Sequence, residues 1–165
     1  MRNSNLHIEL ATKIDCNLLT DIAFAAKRHW NYPEEYYNIW TKELTITPQY
    51  LEQAQVYKGT ITNQTVGFYS LVDIKQDTYF NTIFINQGMW LEHIFILPQF
   101  HLQGIGTYMI KHVKHICSLK QIPYVYIFVD PNALGFYTSI GAQFVRNSDS
   151  SIPNRTIPIY KLLID

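Results

Sequence analysis

The chain has 165 residues, of which 47% are apolar and 16% are charged, and its 13 basic residues balance its 13 acidic ones. This length and apolar content favour one packed domain over residues 1–165 and disfavour disorder except at the chain ends. The neutral balance excludes binding of nucleic acid or of an acidic membrane through overall charge, so any anion site has to be local.

Hydrophobic periodicity predicts antiparallel strands with two helices in the first half of the chain. The expected elements are a strand at 6–11, a helix capped by Asp15 and carrying Trp30, a helix after Pro33, a turn near Pro48, and a hairpin of strands 54–61 and 65–72. The segment Asp73 to Gly88 is less regular and is expected to be an extra hairpin or a long flap.

The second half reads as a strand, a helix and a strand, followed by two more strands. The expected elements are a strand at 91–97, a helix carrying Ile105 to Ile116, a strand at 124–129 buried on both faces, a short helix at 132–140, and strands near 142–146 and 157–163. Antiparallel strands that precede a strand-helix-strand unit predict a mixed α/β (α+β) sandwich.

The most informative stretch is the turn Leu97 to Thr107, L-P-Q-F-H-L-Q-G-I-G-T. It joins a strand to an amphipathic helix and contains Gly104 and Gly106, so its N–H groups and the helix dipole should bind an anion such as phosphate. The simpler alternative is an ordinary turn with two glycines. A P-loop and a dinucleotide fingerprint are disfavoured, because no lysine precedes Thr107 and Met109 stands where a third glycine is required.

Two motifs in fixed order resemble the GNAT superfamily of acyl-CoA-dependent N-acyltransferases. I-F-I-L-P-Q-F-H-L-Q-G-I-G is similar to the pyrophosphate loop of that family, and D-P-N-A-L-G-F-Y-T-S-I-G-A is similar to its downstream strand-to-helix signature; together they cover Leu91 to Phe144. The resemblance implies a GNAT-like, mostly antiparallel sheet flanked by helices. It also implies that acetyl-CoA lies between two splayed parallel strands, 91–97 and 124–129.

The resemblance assigns the coenzyme A contacts mainly to the backbone. The pantothenate arm would pair with Phe95 and Ile96, and the loop around the diphosphate would comprise His101, Leu102, Gln103, Gly104, Ile105, Gly106 and Thr107. The chain departs from the family pattern at His101, where Gln or Arg is usual, and at Asp130, where Asn is common. We expect weaker or pH-dependent coenzyme A binding, with Asn132 supplying a substitute amide.

Transfer of an acetyl group directly to an amine needs no protein nucleophile, and Cys117 falls on a core-like helix face. Tyr137 resembles the general acid of the family, although it could also be an ordinary core tyrosine. Glu92 is the candidate general base, which would require burial or a water relay; its alternative role is to attract a cationic acceptor or to form an ion pair. His93 is the alternate base, because adjacent strand residues face opposite sides.

Aromatic and acidic side chains concentrate in A-K-R-H-W-N-Y-P-E-E-Y-Y, which resembles the acceptor-side helices of some family members. Trp30, Tyr32, Glu34 and Tyr36 would suit a cationic acceptor, or would simply pack the two helices together. His112 and His115 are close on one helix, but no third ligand completes a set, so no metal site is expected.

These observations predict an N-acetyltransferase that moves the acetyl group of acetyl-CoA to a primary amine of a small molecule. The alternatives are a protein N-terminal or lysine acetyltransferase, a non-catalytic acyl-CoA sensor, and binding of a nucleotide phosphate outside coenzyme A chemistry.

The remaining features concern the compartment of the protein. Cys16 and Cys117 lack metal-site spacing and indicate a reducing compartment. The segment Met1 to Leu10 is too polar for a signal peptide, and the apolar run 124–129 is too short to cross a bilayer. We therefore expect a cytoplasmic monomer or homodimer that binds neither membranes nor nucleic acid.

Overall fold

The computed structural model of the protein describes residues 5–165. Residues 1–4, the start of the segment considered as a signal peptide, lie outside the described residues. The chain divides into two compact units, one formed by residues 5–71 and 93–112 and the other by residues 72–92 and 113–165. The expectation of a single domain over 1–165 stays a prediction.

Nine strands and five helices make up the described part of the chain, together with short 3-10 turns. The strands are β1 (His7–Leu10), β2 (Gln55–Ile61), β3 (Gln64–Ile74), β4 (Thr78–Phe80), β5 (Ile83–Ile85), β6 (Gly88–Ile96), β7 (Tyr124–Phe128), β8 (Gln143–Asp149) and β9 (Thr156–Leu163). The helices are α1 (Cys16–Arg28), α2 (Glu34–Leu44), α3 (Pro48–Gln53), α4 (Ile105–Leu119) and α5 (Leu134–Ser139).

The first unit has the strand order β1-β2-β3-β6, and the pairs β1–β2 and β2–β3 are antiparallel. Thr62 and Asn63, which join β2 to β3, have φ values of 48° and 63°. Two successive left-handed residues form the tight connection that matches the twist of a hairpin. The hairpin expected from the sequence is therefore confirmed.

Two local expectations in this unit were wrong. The turn expected near Pro48 is the helix α3, which starts there because the Thr47 hydroxyl accepts the Tyr50 N–H at 3.1 Å and proline suits a first helical position. Trp30 is not on α1, because that helix ends at Arg28 and Asn31 adopts a left-handed conformation with φ of 54°.

The second unit has the strand order β6-β7-β9-β8, in which β6 and β7 are parallel and the other pairs are antiparallel. β4 and β5 form a separate hairpin, as one of the two sequence interpretations predicted. β7 is fully buried on one face only: Val125 and Ile127 are buried, whereas Tyr124, Tyr126 and Phe128 keep part of their surface. A mixed sheet of mostly antiparallel strands with one parallel pair and flanking helices confirms the expected fold class.

Candidate active site

The turn between β6 and α4, in the first unit, presents a row of backbone donors. Leu102 and Gly104 have positive φ values, 60° and 80°, which redirect the chain into the helix. The first hydrogen bond of α4 runs from the Tyr108 N–H to the Gly104 carbonyl at 3.0 Å. The N–H groups of residues 105–107 therefore lie before the first backbone hydrogen bond of α4. They can bind a phosphate group without the help of a basic side chain.

His101 attaches this turn to the end of β6. Its Nε2 atom lies 3.1 Å from the Ile96 carbonyl oxygen. Its ring meets the His29 ring edge-on at 5.1 Å and stacks on Trp30 at 6.4 Å. The Ile96 backbone, expected with Phe95 to pair with the pantothenate arm, thus has one contact of its carbonyl oxygen within the chain.

The parallel pairing of β6 with β7, in the second unit, is short. It comprises Met89 opposite Val125 and Trp90 opposite Tyr126. On its other edge β7 pairs with β9 along all five of its residues, through Phe128 opposite Ile159. The last residues of β7 are therefore held from the β9 side.

Tyr137 on α5 is buried, with 4% of its surface exposed. Burial, and secondarily the charge of Asp130, raise the pKa of its phenol well above the usual range. The phenol therefore keeps its proton at any physiological pH and can pass a proton to a thiolate only if it regains one from a more acidic group in the same step.

Glu92 and His93 lie on opposite faces of β6, as predicted. Glu92 is exposed, whereas His93 is buried. Burial, together with the positive charge of Lys27, lowers the His93 pKa to about 4, against the opposing effect of a hydrogen bond to the Glu43 backbone. An imidazole with so low a pKa is neutral at neutral pH, where it can accept a proton but is only a weak base, as an ordinary carboxylate is.

The aromatic and acidic residues expected to bind the acceptor meet basic residues of α1. Lys27 Nζ lies 4.4 Å from the centre of the Trp40 ring and 5.5 Å from that of Tyr32. The carboxylate of Glu34 accepts two hydrogen bonds from Arg28, at 3.1 and 3.3 Å. Tyr32 and Tyr36 pack near each other at 6.1 Å, and Trp30 lies apart, against His101. A cationic acceptor here would have to compete with cations of the chain itself.

Asp130 and His112, two further polar residues considered in the sequence, have structural partners. Asp130 Oδ1 accepts the Asn132 N–H at 2.9 Å and so caps the 3-10 turn after β7, while the Asn132 residue is itself exposed. His112 Nδ1 and the Tyr69 hydroxyl share a hydrogen bond of 2.7 Å. Over residues 5–165 no three His, Cys, Asp or Glu side chains form a group that could hold a metal ion.

The sequence interpretation missed a set of aromatic rings in the second unit. Trp90 stacks on Phe128 with ring centres 4.8 Å apart and lies 5.1 Å from Tyr126. The available signal was the period of two that places Trp90 and Glu92 on one face of β6, and Tyr126 and Phe128 on one face of β7.

The sequence profile of the acetyltransferase (GNAT) domain matches residues 52–141. No curated protein matches the sequence. Because the matched segment covers more than half of the 165 residues, the chain belongs to the GNAT acetyltransferase family. It is therefore an acetyl-CoA-dependent N-acetyltransferase, which confirms the enzyme class and the cosubstrate expected from its motifs.

Solved structures with the same fold share little sequence with the chain. A GCN5-related N-acetyltransferase from Rhodopseudomonas palustris is 15% identical with a TM-score of 0.78, and the match covers 99% of this chain and 98% of that one. PaiA N-acetyltransferase from Thermoplasma acidophilum, solved with coenzyme A, is 17% identical with a TM-score of 0.73, covering 96% and 98%. The ribosomal-protein-S18-alanine N-acetyltransferase from Escherichia coli is 14% identical with a TM-score of 0.67, covering 96% and 94%. These likenesses show a common fold.

None of the helices within residues 5–165 has the length and apolar character that crossing a membrane requires. The cytoplasmic location and the oligomeric state stay predictions.

Proposed function

We propose that this acetyltransferase acts on a primary amine of a small molecule, by direct attack of the amine on the thioester of acetyl-CoA. The small-molecule assignment rests on the β4–β5 hairpin. This hairpin is attached to β6 at Trp90, two residues before Glu92. Asn86, at the end of this hairpin, accepts a hydrogen bond from Trp90 Nε1 through its backbone carbonyl at 2.8 Å. A face of β6 that is closed at Trp90 and exposed at Glu92 suits a compact acceptor better than an extended polypeptide.

The cosubstrate is held mainly by backbone. The N–H groups from Leu102 to Thr107 hydrogen-bond the diphosphate, with His101 fixing the start of the turn, and the strand backbone at Phe95 is available to the pantothenate arm. Asn132 offers a side-chain amide to the same arm. Backbone donors bind the anion without a net positive charge, in keeping with the neutral composition of the chain.

The chemistry needs a free amine and a protonated leaving group. Glu92 receives one proton from the incoming ammonium, through water, and the amine nitrogen then attacks the thioester carbonyl carbon. As the carbon–sulfur bond breaks, the Tyr137 hydroxyl gives its proton to the departing thiolate, and the phenolate recovers one from the new amide nitrogen. One proton is released to solvent for each amide formed.

A thiol-release assay over a panel of amines tests the proposal. We expect acetyl-CoA turnover with one or more small primary amines and none with peptides that carry a free N-terminus or a lysine. Turnover confined to peptides would assign a protein acceptor instead. Acetyl-CoA binding without turnover on any amine or peptide would identify a non-catalytic sensor.

A further inference from the structure

One face of β6 and β7 in the second unit carries a continuous row of aromatic rings that leads to Glu92. Side chains alternate along a strand, so Trp90 shares a face with Glu92, and Tyr124, Tyr126 and Phe128 share a face with one another. Trp90 stands opposite Tyr126 in the parallel register, which puts both sets on the same side. The ring centres of Tyr124 and Tyr126 are 5.3 Å apart, and the row continues through Trp90 to Phe128. We call these four rings the aromatic row.

The β4–β5 hairpin closes part of this row. Arg146 on β8 donates from Nη2 to the Asn86 side-chain oxygen at 2.7 Å and to the Phe84 carbonyl at 3.2 Å, and Asn86 in turn accepts the Trp90 indole N–H. Trp90 is consequently buried, with 3% of its surface exposed. Phe128 and Tyr126 stay half-buried and Glu92 stays exposed, so the accessible part of the row lies toward Glu92.

Charge is distributed unevenly along the row. Lys161 stands opposite Tyr126 in register, and its Nζ atom lies 4.8 Å from the centre of the Tyr124 ring. A hydrogen bond with Tyr124 and burial raise the pKa of the Tyr126 phenol, which the charge of Arg146 lowers and the charge of Asp77 raises. The tyrosine end therefore has two cations and one carboxylate nearby, whereas a carboxylate stands on the Glu92 side.

We propose that the acceptor is a primary amine with a single positive charge and a flat apolar body, bound with its nitrogen at Glu92 and its body against Phe128 and Tyr126. This inference rests on the proposed function and names the substrate class for it. The carboxylate attracts one ammonium group, and the rings bind an apolar surface by stacking. A second ammonium group reaching along the row would meet the cations Lys161 and Arg146, so diamines are disfavoured.

The first experiment compares 2-phenylethylamine with butane-1,4-diamine as acceptors. We expect kcat/KM for 2-phenylethylamine to be higher by about tenfold or more, the factor that one stacked ring and one avoided charge repulsion supply. Phe128→Leu should lower kcat/KM for 2-phenylethylamine about fivefold and leave the KM for acetyl-CoA unchanged. Phe144→Leu is the matched control, because Phe144 on β8 is exposed and meets Tyr160 instead of the row. It should change neither value.

A second variant tests the exclusion of diamines independently of ring packing. Lys161→Met removes one cation beside the row and should raise kcat/KM for butane-1,4-diamine a few-fold, with 2-phenylethylamine unaffected. A preference for the diamine in the unmodified enzyme, or equal effects of Phe128→Leu and Phe144→Leu, would overturn the inference while turnover itself upheld the proposed function. Absence of thiol release with every amine would overturn both.

Discussion

Tyr137, the proposed general acid, is buried on α5. Its raised pKa keeps the hydroxyl protonated, so the group can relay a proton only if it regains one in the same step. We predict that Tyr137→Phe lowers kcat by about a hundredfold while the affinity for acetyl-CoA changes little, because the ring still packs and only the proton is lost. Steady-state kinetics with the best amine, together with calorimetric titration of acetyl-CoA, measures both. An unchanged kcat would remove Tyr137 from the mechanism.

His93 makes stability depend on pH. Its pKa is about 4 in the folded protein against 6.5 as the reference value, so between these values the unfolded chain binds more protons. The free energy of unfolding should therefore fall as the pH is lowered from about 6.5 to about 4, by roughly 3 kcal/mol at most. Urea unfolding at a series of pH values measures this dependence.

The control for this prediction is His93→Phe, which retains a ring against Phe68 and Phe95 but cannot be protonated. The variant should have a flatter pH profile over the same interval. Identical profiles for the two proteins would show that His93 does not carry the effect.

Roles that depend on local sequence were predicted better than roles that depend on distant partners. The opposite orientation of Glu92 and His93 follows from strand geometry and was confirmed. By contrast, the position of Lys27 against Trp40, 4.4 Å from the ring centre, depends on how α1 and α2 pack. No local pattern reports that packing, so the sequence could not show that the aromatic acceptor residues already face a cation.

At the scale of elements, Gly67 fixes how closely β3 approaches β6. A Cβ atom at this position would lie 2.6 Å from the Phe95 carbonyl oxygen and 3.2 Å from Ile96 Cγ1. Because the first contact is with backbone, we predict that Gly67→Ala destabilises the protein by about 1–3 kcal/mol. Thermal or denaturant unfolding measures the loss.

Gly135 on α5 is the matched control, since a Cβ atom there would meet nothing within 4 Å. Gly135→Ala should stabilise the protein by up to about 1 kcal/mol, through helix propensity alone. If both alanine variants unfolded alike, close strand contact would not explain the requirement at Gly67.

Element types followed from periodicity, but element ends and strand burial did not. The turn expected at Pro48 is a helix, because the Thr47 side chain accepts the Tyr50 N–H and so caps the first turn. Trp30 continues the helical spacing of α1, yet the helix ends two residues earlier. One face of β7 is less buried than its apolar run predicted. The aromatic residues on that face count as apolar in the sequence whether they are fully or partly covered in the structure.

For the molecule as a whole, binding of acetyl-CoA should appear as stability. At a ligand concentration of a hundred times its Kd, a ligand that binds only the folded protein adds about 2.7 kcal/mol. For a chain of this size that corresponds to a Tm increase of roughly 5–10 °C. ATP and NAD at the same concentration are the controls and should give clearly smaller shifts. Equal shifts with all three would indicate general phosphate binding by the turn before α4.

Both cysteines of the chain, Cys16 and Cys117, are buried as free thiols. Burial raises the pKa of Cys117 to about 11 and, with the charge of Asp15, that of Cys16 above its usual value. The native enzyme should therefore not react with a chromogenic disulfide reagent, whereas the denatured enzyme should react with two equivalents of reagent per chain. The same reagent would then measure only the coenzyme A released during turnover. After addition of denaturant it would also react with the two cysteines of each chain and so give the enzyme concentration in the same sample.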